Sequence, residues 1–212
     1  RYIYSSGNKE LYQYLRYKKP KRRKRRGRKS HQCRYGDKRL ITQRPVSVES
    51  RFYFGHWEGD GIEFSGSKQN MVTTLVERKS RFVLLIKNQM KTSTHVMGKI
   101  KDKLVLLTEQ ACQTITFDQG SEFADYGQIE RHLACRVYYC HTRSPWEKGS
   151  NENMNGRLRA YLPRSQSIET ITQEALDELV KKMNAIPRKC LGYKTPEEVY
   201  LKHCKYKRSV RR

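Results

Sequence analysis

The order of apolar and polar positions after residue 50 predicts three strands in succession. Residues 51–64 are aromatic and interrupted by glycine, residues 71–77 are rich in β-branched side chains, and residues 81–87 form a nearly continuous apolar run. Segments of this length and composition are typical of strands, and the Lys79-Ser80 pair between the last two predicts a turn. We therefore expect the three segments to form an antiparallel meander.

The period of the pattern changes after residue 90. Apolar side chains recur at helical spacing within residues 92–107, which predicts a helix. Residues 114–118 then predict a short strand, residues 121–134 a second helix and residues 136–140 another strand. A meander followed by alternating strands and helices indicates an α/β fold, and we expect a ribonuclease-H-like mixed sheet with helices on both faces.

Two short motifs predict where later helices begin. Residues 144–147, Ser-Pro-Trp-Glu, have the sequence of a capping box with proline at the first helical position. They predict a helix that runs towards Pro163, with Gly149 delaying its regular part. Residues 195–198, Thr-Pro-Glu-Glu, form a second capping-box sequence. Between these motifs, residues 172–184 predict a helix with one apolar face.

Positive charge is concentrated before residue 50. The chain of 212 residues has 45 Lys and Arg against 21 Asp and Glu, a net charge of +24. Residues 16–29 contain 11 basic side chains. Such a run repels itself and needs a polyanion, for which nucleic acid is the expected partner, with a localisation signal or a solvated linker as alternatives. The DNA-binding candidates at its centre are Arg22, Arg23, Lys24, Arg25 and Arg26.

The charge distribution predicts two regions. Residues 1–50 are expected to be a basic N-terminal extension or linker, and residues 51–212 a domain with its own core and a basic C-terminal tail. The chain has no apolar run of 18 residues and no visible signal peptide, and its six cysteines form no CxxC pair. We therefore expect no membrane span, reduced thiols and a cytoplasmic location.

Three acidic residues stand where the predicted elements suit a metal site. Asp60 lies on the first strand, Asp118 at the end of a later strand, and Glu152 in the first turns of a helix. A carboxylate at a strand end is costly to bury unless it is paired or binds a cation, and Mg²⁺ prefers oxygen ligands. If the three converge, two Mg²⁺ ions would suit phosphodiester cleavage. The competing acidic candidates are Glu58, Glu63, Glu122 and Asp125.

Helical spacing brings three further polar residues to the face of Glu152. Lys148, Asn155 and Arg159 stand four residues before, three after and seven after Glu152. They can therefore share one helix face, where a basic side chain is well placed to hold a DNA phosphate. Trp146 is expected to pack, with base stacking as the alternative. Zinc binding by His–Cys neighbours is disfavoured, because no two such pairs have zinc-finger spacing.

Five motifs follow one another between residues 55 and 199. They are GHWEGD at 55–60, TLVERKSRF at 74–82, TITFDQGSEFA at 114–124, SPWEKGSNENMNGRLRAYLP at 144–163 and IPRKCLGYKTPEEV at 186–199. With these motifs the chain resembles the insertion-sequence transposases of family thirty, DDE transposases with a retroviral-integrase-like core. The 33 residues between Asp118 and Glu152 match the spacing of that family.

This resemblance implies a function and a set of roles. Asp60, Asp118 and Glu152 would be the catalytic and metal-binding triad of a Mg²⁺-dependent DNA transposase, with Mn²⁺ able to substitute. The extension 1–50 would be the remnant of a DNA-binding region. The partners would be double-stranded DNA, at transposon ends and target, and a second copy of the chain in at least a dimer, associated with the nucleoid. The alternatives are an inactive or domesticated DNA-binding derivative, or a related ribonuclease-H-like nuclease.

Overall fold

The computed structural model describes residues 10–14, 38–67 and 69–206. The chain divides into two units, Arg1–His31 and Gln32–Arg212. In the first unit the structure describes a 3₁₀ turn at Leu11–Tyr14. The basic run at 16–29, with the candidates at 22–26, lies outside the described residues, and so do residues 207–212 of the basic tail.

One mixed sheet organises the second unit. Its strands are β1 (His56–Glu63), β2 (Met71–Glu77), β3 (Val83–Asn88), β4 (Thr114–Phe117) and β5 (Arg136–Tyr139). Their spatial order is β3-β2-β1-β4-β5. β1 to β3 form an antiparallel meander, and β4 and β5 continue the sheet in parallel with β1. The predicted order of an antiparallel meander followed by later strands is confirmed.

The described part of this unit contains five α-helices. They are α1 (Ser93–Val105), α2 (Gly127–His132), α3 (Gly149–Leu158), α4 (Gln173–Asn184) and α5 (Pro196–Tyr206). Successive strand residues point to opposite faces of a sheet, and the central strands are buried on both faces. The helices accordingly cover two separate apolar cores.

Neighbouring residues of β2 mark the two cores. Leu75 belongs to the core that includes Ile100 of α1, whereas Val76 belongs to the core that includes Met154 of α3 and Leu176 of α4. Helices therefore lie on both faces of the sheet, as predicted.

The second capping box forms as predicted, and the first does not. The Thr195 N–H donates to Glu198 Oε2 at 2.8 Å, and the Glu198 N–H donates to Thr195 Oγ1 at 3.1 Å. Ser144, in contrast, makes no side-chain cap bond, since the Glu147 N–H donates to the Ser144 carbonyl at 3.1 Å. The carboxylate of Glu147 instead accepts from the backbone and ring of His141 at 2.8 Å each. Helix α3 consequently begins at Gly149 after a 3₁₀ turn and ends well before Pro163.

Two predicted element boundaries need correction. β1 begins at His56 rather than at residue 51, because Gly55 has a φ of +93° and a Cβ there would lie 2.4 Å from the Gln110 carbonyl oxygen. The predicted helix at 121–134 is a 3₁₀ turn at Ser121–Phe123 followed by the short helix α2.

Residues 38–50 belong to the second unit rather than to a separate linker. Leu40 forms a parallel bridge to Tyr139 at the edge of β5. The buried Arg44 donates to Thr116 Oγ1 at 2.9 Å, and the Val48 carbonyl accepts a bond from Arg78. The segment therefore packs along the sheet close to the strands that carry the candidate site.

Candidate active site

Parallel pairing of β1 and β4 brings Asp60 and Asp118 together. The register pairs Glu58 with Thr116, so the two aspartates, each two residues further along, reach the same level of adjacent strands. One ammonium group lies between them: Lys148 Nζ is 2.9 Å from Asp60 Oδ1 and 3.3 Å from Asp118 Oδ2. Two of the three predicted acidic residues thus meet at one point.

Lys148 is almost completely buried beneath this pair, with 5% of its surface exposed. Its ammonium also donates to the Gly59 carbonyl at 3.0 Å. Burial acts to lower the pKa of Lys148, but the charges of Asp60 and Asp118 outweigh that effect and the pKa of Lys148 is raised. The lysine therefore carries a positive charge that two carboxylates share.

Asp60 is held from both of its oxygens. Oδ1 accepts from Lys148, while Oδ2 accepts from the side-chain amide of Asn155 at 2.8 Å. Burial raises the pKa of Asp60, Lys148 opposes the rise, and the nearby charge of Asp118 adds to it, so the net pKa is raised. A single ammonium between two carboxylates leaves the pair short of positive charge.

Glu152 is exposed on α3, one turn before Asn155. Among the residues that the structure describes, no group of three or more His, Cys, Asp or Glu side chains is gathered closely enough to hold a metal ion. The structure therefore brings Asp60 and Asp118 together but does not bring Glu152 into contact with them. The role of Glu152 as a metal ligand stays a prediction.

The donor set of Asp60 and Asp118 fits a divalent cation. Both offer carboxylate oxygens, the ligand type that Mg²⁺ prefers, and both already contact the same cationic group. Their side chains are 26% and 45% exposed, so solvent reaches the oxygens. These features indicate a site where additional positive charge would be stabilising.

The predicted phosphate contacts lie close to this site. Lys148 and Asn155 direct their donors at Asp60. Arg159 donates to the Glu63 carbonyl at 2.8 Å, and its guanidinium lies 5.5 Å from the Phe64 ring centroid. Lys148 is not part of α3, since the helix begins one residue later. Contact of the three residues with DNA stays a prediction.

The anchor of α3 to the sheet was not foreseen from the sequence. Glu58, fully buried, accepts from Arg78 at 2.7 Å and from the backbone N–H of Asn151 at 2.9 Å. The Thr74 hydroxyl donates to the side-chain oxygen of Asn151 at 3.1 Å. Strand alternation did place Glu58 on the face of Asp60, which was the available signal, and this acid now has a structural role.

The other competing acids make separate contacts. Glu63 and Glu122 both lie near Lys91, at 2.5 Å and 3.6 Å from its Nζ. Asp125 accepts a bond from the Gln128 amide.

Trp146 is exposed rather than packed, with 71% of its surface accessible. No helix in the described part of the chain is long and apolar enough to cross a membrane.

The mixed sheet and its helices have the fold of retroviral integrase catalytic cores. The family described as Integrase core domain matches residues 53–145. The catalytic core domain of BIV integrase aligns with a TM-score of 0.53 and 22% identity, covering 72% of this chain and 98% of that one. The simian T-cell lymphotropic virus intasome, solved in complex with PP2A regulatory subunit B56 gamma, aligns with a TM-score of 0.55 and 20% identity, covering 80% of this chain and 59% of that one. The predicted ribonuclease-H-like fold is confirmed.

Sequence relatives narrow the class further. The transposase for insertion sequence element IS1086 of Cupriavidus metallidurans is 41% identical over 159 residues, which cover 75% of this chain and 47% of the relative. Transposase InsI for insertion sequence element IS30A of Escherichia coli is 36% identical over 159 residues, which cover 75% of this chain and 41% of the relative. The chain thus spans less than half the length of these curated relatives. It is a relative of the IS30-type DDE transposases, as the five motifs predicted.

Proposed function

We propose that this chain is the catalytic core of a DNA transposase that cleaves phosphodiester bonds at transposon ends and transfers the 3′-hydroxyl to target DNA. The observation that carries the proposal is the pair of Asp60 and Asp118, held at adjacent parallel strand ends around one shared cation. Similarity to the transposases of IS30A and IS1086 over 75% of the chain supports it.

The residues of the chain supply charge and orientation for this reaction. Asp60, Asp118 and Glu152 would hold Mg²⁺, with Mn²⁺ able to substitute. When bound, a divalent metal of this kind neutralises phosphate charge and makes water a better nucleophile. Asn155 fixes the second oxygen of Asp60, at 2.8 Å, so that the carboxylate is oriented before any ligand arrives.

A strand-transfer assay with Mg²⁺, on a labelled duplex carrying the terminal repeat of the encoding element, tests the proposal. Asp60→Asn, Asp118→Asn and Glu152→Gln should each abolish cleavage and transfer while leaving DNA affinity similar or higher, because each removes negative charge only. Asp102→Asn is the matched control, since that side chain on α1 is 71% exposed, and it should retain activity. Inactive wild-type protein, or three fully active variants, would contradict the proposal.

We also propose that two copies act together on double-stranded DNA, because an element has two ends to be joined to one target. Association with the nucleoid follows from such binding. Sedimentation velocity with end duplexes should find at least two chains in each complex, and one chain per complex would contradict the dimer.

Changing residues 22–26 to glutamine should weaken DNA binding and flatten its dependence on salt, by about 0.9 in log–log slope for each DNA phosphate that the variant no longer neutralises.

A further inference from the structure

A cavity of about 430 Å³ lies beside α3 and is lined by five cationic side chains. Ligand pockets in proteins typically measure roughly 300–1,000 Å³. Neither an acidic nor an aromatic side chain is among the described residues that line this cavity. A concave surface with positive charge alone attracts anions. The five cationic residues, which together define what we call the arginine cavity, are Arg51, Arg81, Arg157, Arg188 and Lys189.

The arginine cavity and the carboxylate pair lie on different sides of α3. Ser150, Asn153 and Arg157 line the cavity, and their spacing of three and four residues puts them on one helix face. Asn155, whose amide binds Asp60, points from roughly the opposite face at helical periodicity. The arginine cavity is therefore a surface separate from the candidate active site.

Three of the five cations of the arginine cavity make hydrogen bonds within the protein. Arg81 donates to Ser150 Oγ at 2.6 Å, and Arg157 donates from Nε to the Asn153 side chain at 3.1 Å. Arg188 is 6% exposed and donates from one terminal nitrogen to the Met183 carbonyl, while its other terminal nitrogen is buried without a hydrogen-bond partner. A buried, unpartnered guanidinium nitrogen is costly, so an anion that accepted from it would be favoured.

The five cations of the arginine cavity have no ion-pair partner among the described residues. Other buried arginines of this unit are paired, as Arg44 is with Glu49 and Arg78 is with Glu58. Within the described residues, no carboxylate lies within ion-pair distance of any of the five cavity cations. Burial, and then the charge of Arg157, lower the pKa of Arg188.

We propose that the arginine cavity binds the sugar–phosphate backbone of a DNA segment that runs along the far side of α3 from the strand cut at Asp60 and Asp118. This inference rests on the proposed function and deepens it. Planar guanidinium groups match the geometry of phosphate oxygens. A cavity lined by cations, without aromatic side chains to stack on bases, suits contact with the backbone rather than with base edges.

A charge-matched comparison tests the proposal. In the full chain, the exposed residues Arg51, Arg157 and Lys189 are all changed to glutamine. The control changes the same number of exposed cations elsewhere, Arg131, Lys182 and Lys202. Binding of a mixed-sequence 30-bp duplex is measured by fluorescence anisotropy in EDTA at several salt concentrations. The log–log salt slope of the cavity variant should fall by about 0.9 for each phosphate that the cavity neutralises in the wild type, and the slope of the control should stay near the wild-type value.

An equal fall in slope for the cavity variant and the control would overturn the inference, because only net charge would then matter. Circular dichroism melting checks that both proteins are folded. If the triple cavity variant melts early, Arg157→Gln alone decides the question: a slope lower by about 1 supports the inference, an unchanged slope overturns it, and Arg157→Lys should restore most of the binding.

A free polyphosphate offers the same chemistry and is a separate outcome. Calorimetric binding of tripolyphosphate to the wild type, together with unchanged duplex binding by the cavity variant, would overturn the DNA assignment. Because duplex binding is measured by fluorescence anisotropy in EDTA, the salt slope does not depend on DNA cleavage. Failed strand transfer with an intact slope difference would contradict the proposed function alone, and active strand transfer without a slope difference would contradict this inference alone.

Discussion

Glu58 and Asp60 stand two residues apart on β1 and face the same side of the sheet, yet their surroundings differ. Glu58 is fully buried and has its own cation, Arg78, at 2.7 Å. Asp60 has a side chain that is 26% exposed and shares the ammonium of Lys148 with Asp118. The ion pair of Glu58 and Arg78 is buried and electrically balanced, and we call it the closed pair. Asp60 and Asp118, which we call the open pair, are accessible to solvent and have two negative charges for the one positive charge of Lys148.

The difference shows how one strand can hold one acid that is fully paired and another that shares its cation and is open to solvent. Glu58 lies where α3 begins, so the backbone N–H of Asn151 completes its bonding at 2.9 Å. Asp60 lies level with the end of β4, where the chain leaves the sheet after Phe117 and solvent reaches the carboxylates. A fully paired buried acid stabilises the local structure, while a pair short of positive charge favours an added cation.

The largest expected effect separates these two acids by activity. Asp60→Asn should abolish detectable strand transfer, because it removes a carboxylate from the open pair. The same change should leave the melting temperature unchanged or higher, because it relieves burial of charge and repulsion from Asp118. A parallel strand-transfer assay and melting curve check both expectations. A large loss of stability in Asp60→Asn would show that the open pair is structural after all.

The next effect is on stability at the closed pair. Glu58→Gln should destabilise the protein by about 3–5 kcal/mol, because it leaves the charge of Arg78 buried without a counter-ion. Urea unfolding at neutral pH measures the change. Glu63→Gln is the control, since that side chain is 55% exposed in its pair with Lys91, and it should cost less than about 1 kcal/mol. Equal effects from the two changes would contradict a structural role for the buried pair of Glu58 and Arg78.

A third effect concerns the pH dependence of stability that arises from His56, which lies near Arg78 of the closed pair. Burial, followed by the charges of Arg78 and Arg44, lowers the pKa of His56 from 6.5 to about 4. The unfolded chain therefore binds this proton more readily, so stability falls as the pH drops from 6.5 towards 4, by about 3 kcal/mol over the window. Urea unfolding across that range should find that His56→Gln removes most of this decline. His132→Gln, at an exposed position, should leave the decline in place.

The smallest effect concerns the hydrogen bond from Thr74 of β2 to Asn151 of α3. Thr74 pairs with Asp60 in the register of β1 and β2, and its hydroxyl donates to Asn151, the residue that also binds Glu58. Thr74→Val should cost about 1 kcal/mol, because it removes this hydrogen bond. Chemical denaturation measures the cost, with Thr94→Val at an exposed position of α1 as the control. A cost no greater than that of the control would mean that the bond does not anchor α3.

Predictions from the sequence were accurate where the deciding contacts are local. β2 spans the predicted residues, because the β-branched side chains within it favour an extended backbone. The capping box at Thr195 forms within four residues. The capping box predicted at residues 144–147 does not form. The carboxylate of Glu147 instead accepts hydrogen bonds from His141, which lies outside the motif.

Periodicity and motif order by themselves determined the class of fold, the strand-end position of Asp118 and the shared strand face of Glu58 and Asp60. Only the tertiary structure decided which cation each acid receives. Lys148 reaches Asp60 across 88 positions of sequence and Arg78 reaches Glu58 across 20. Electrostatic energy depends on distance in space and on burial rather than on separation along the chain, so these partners emerge only when the strands of the sheet and the turn before α3 have packed together.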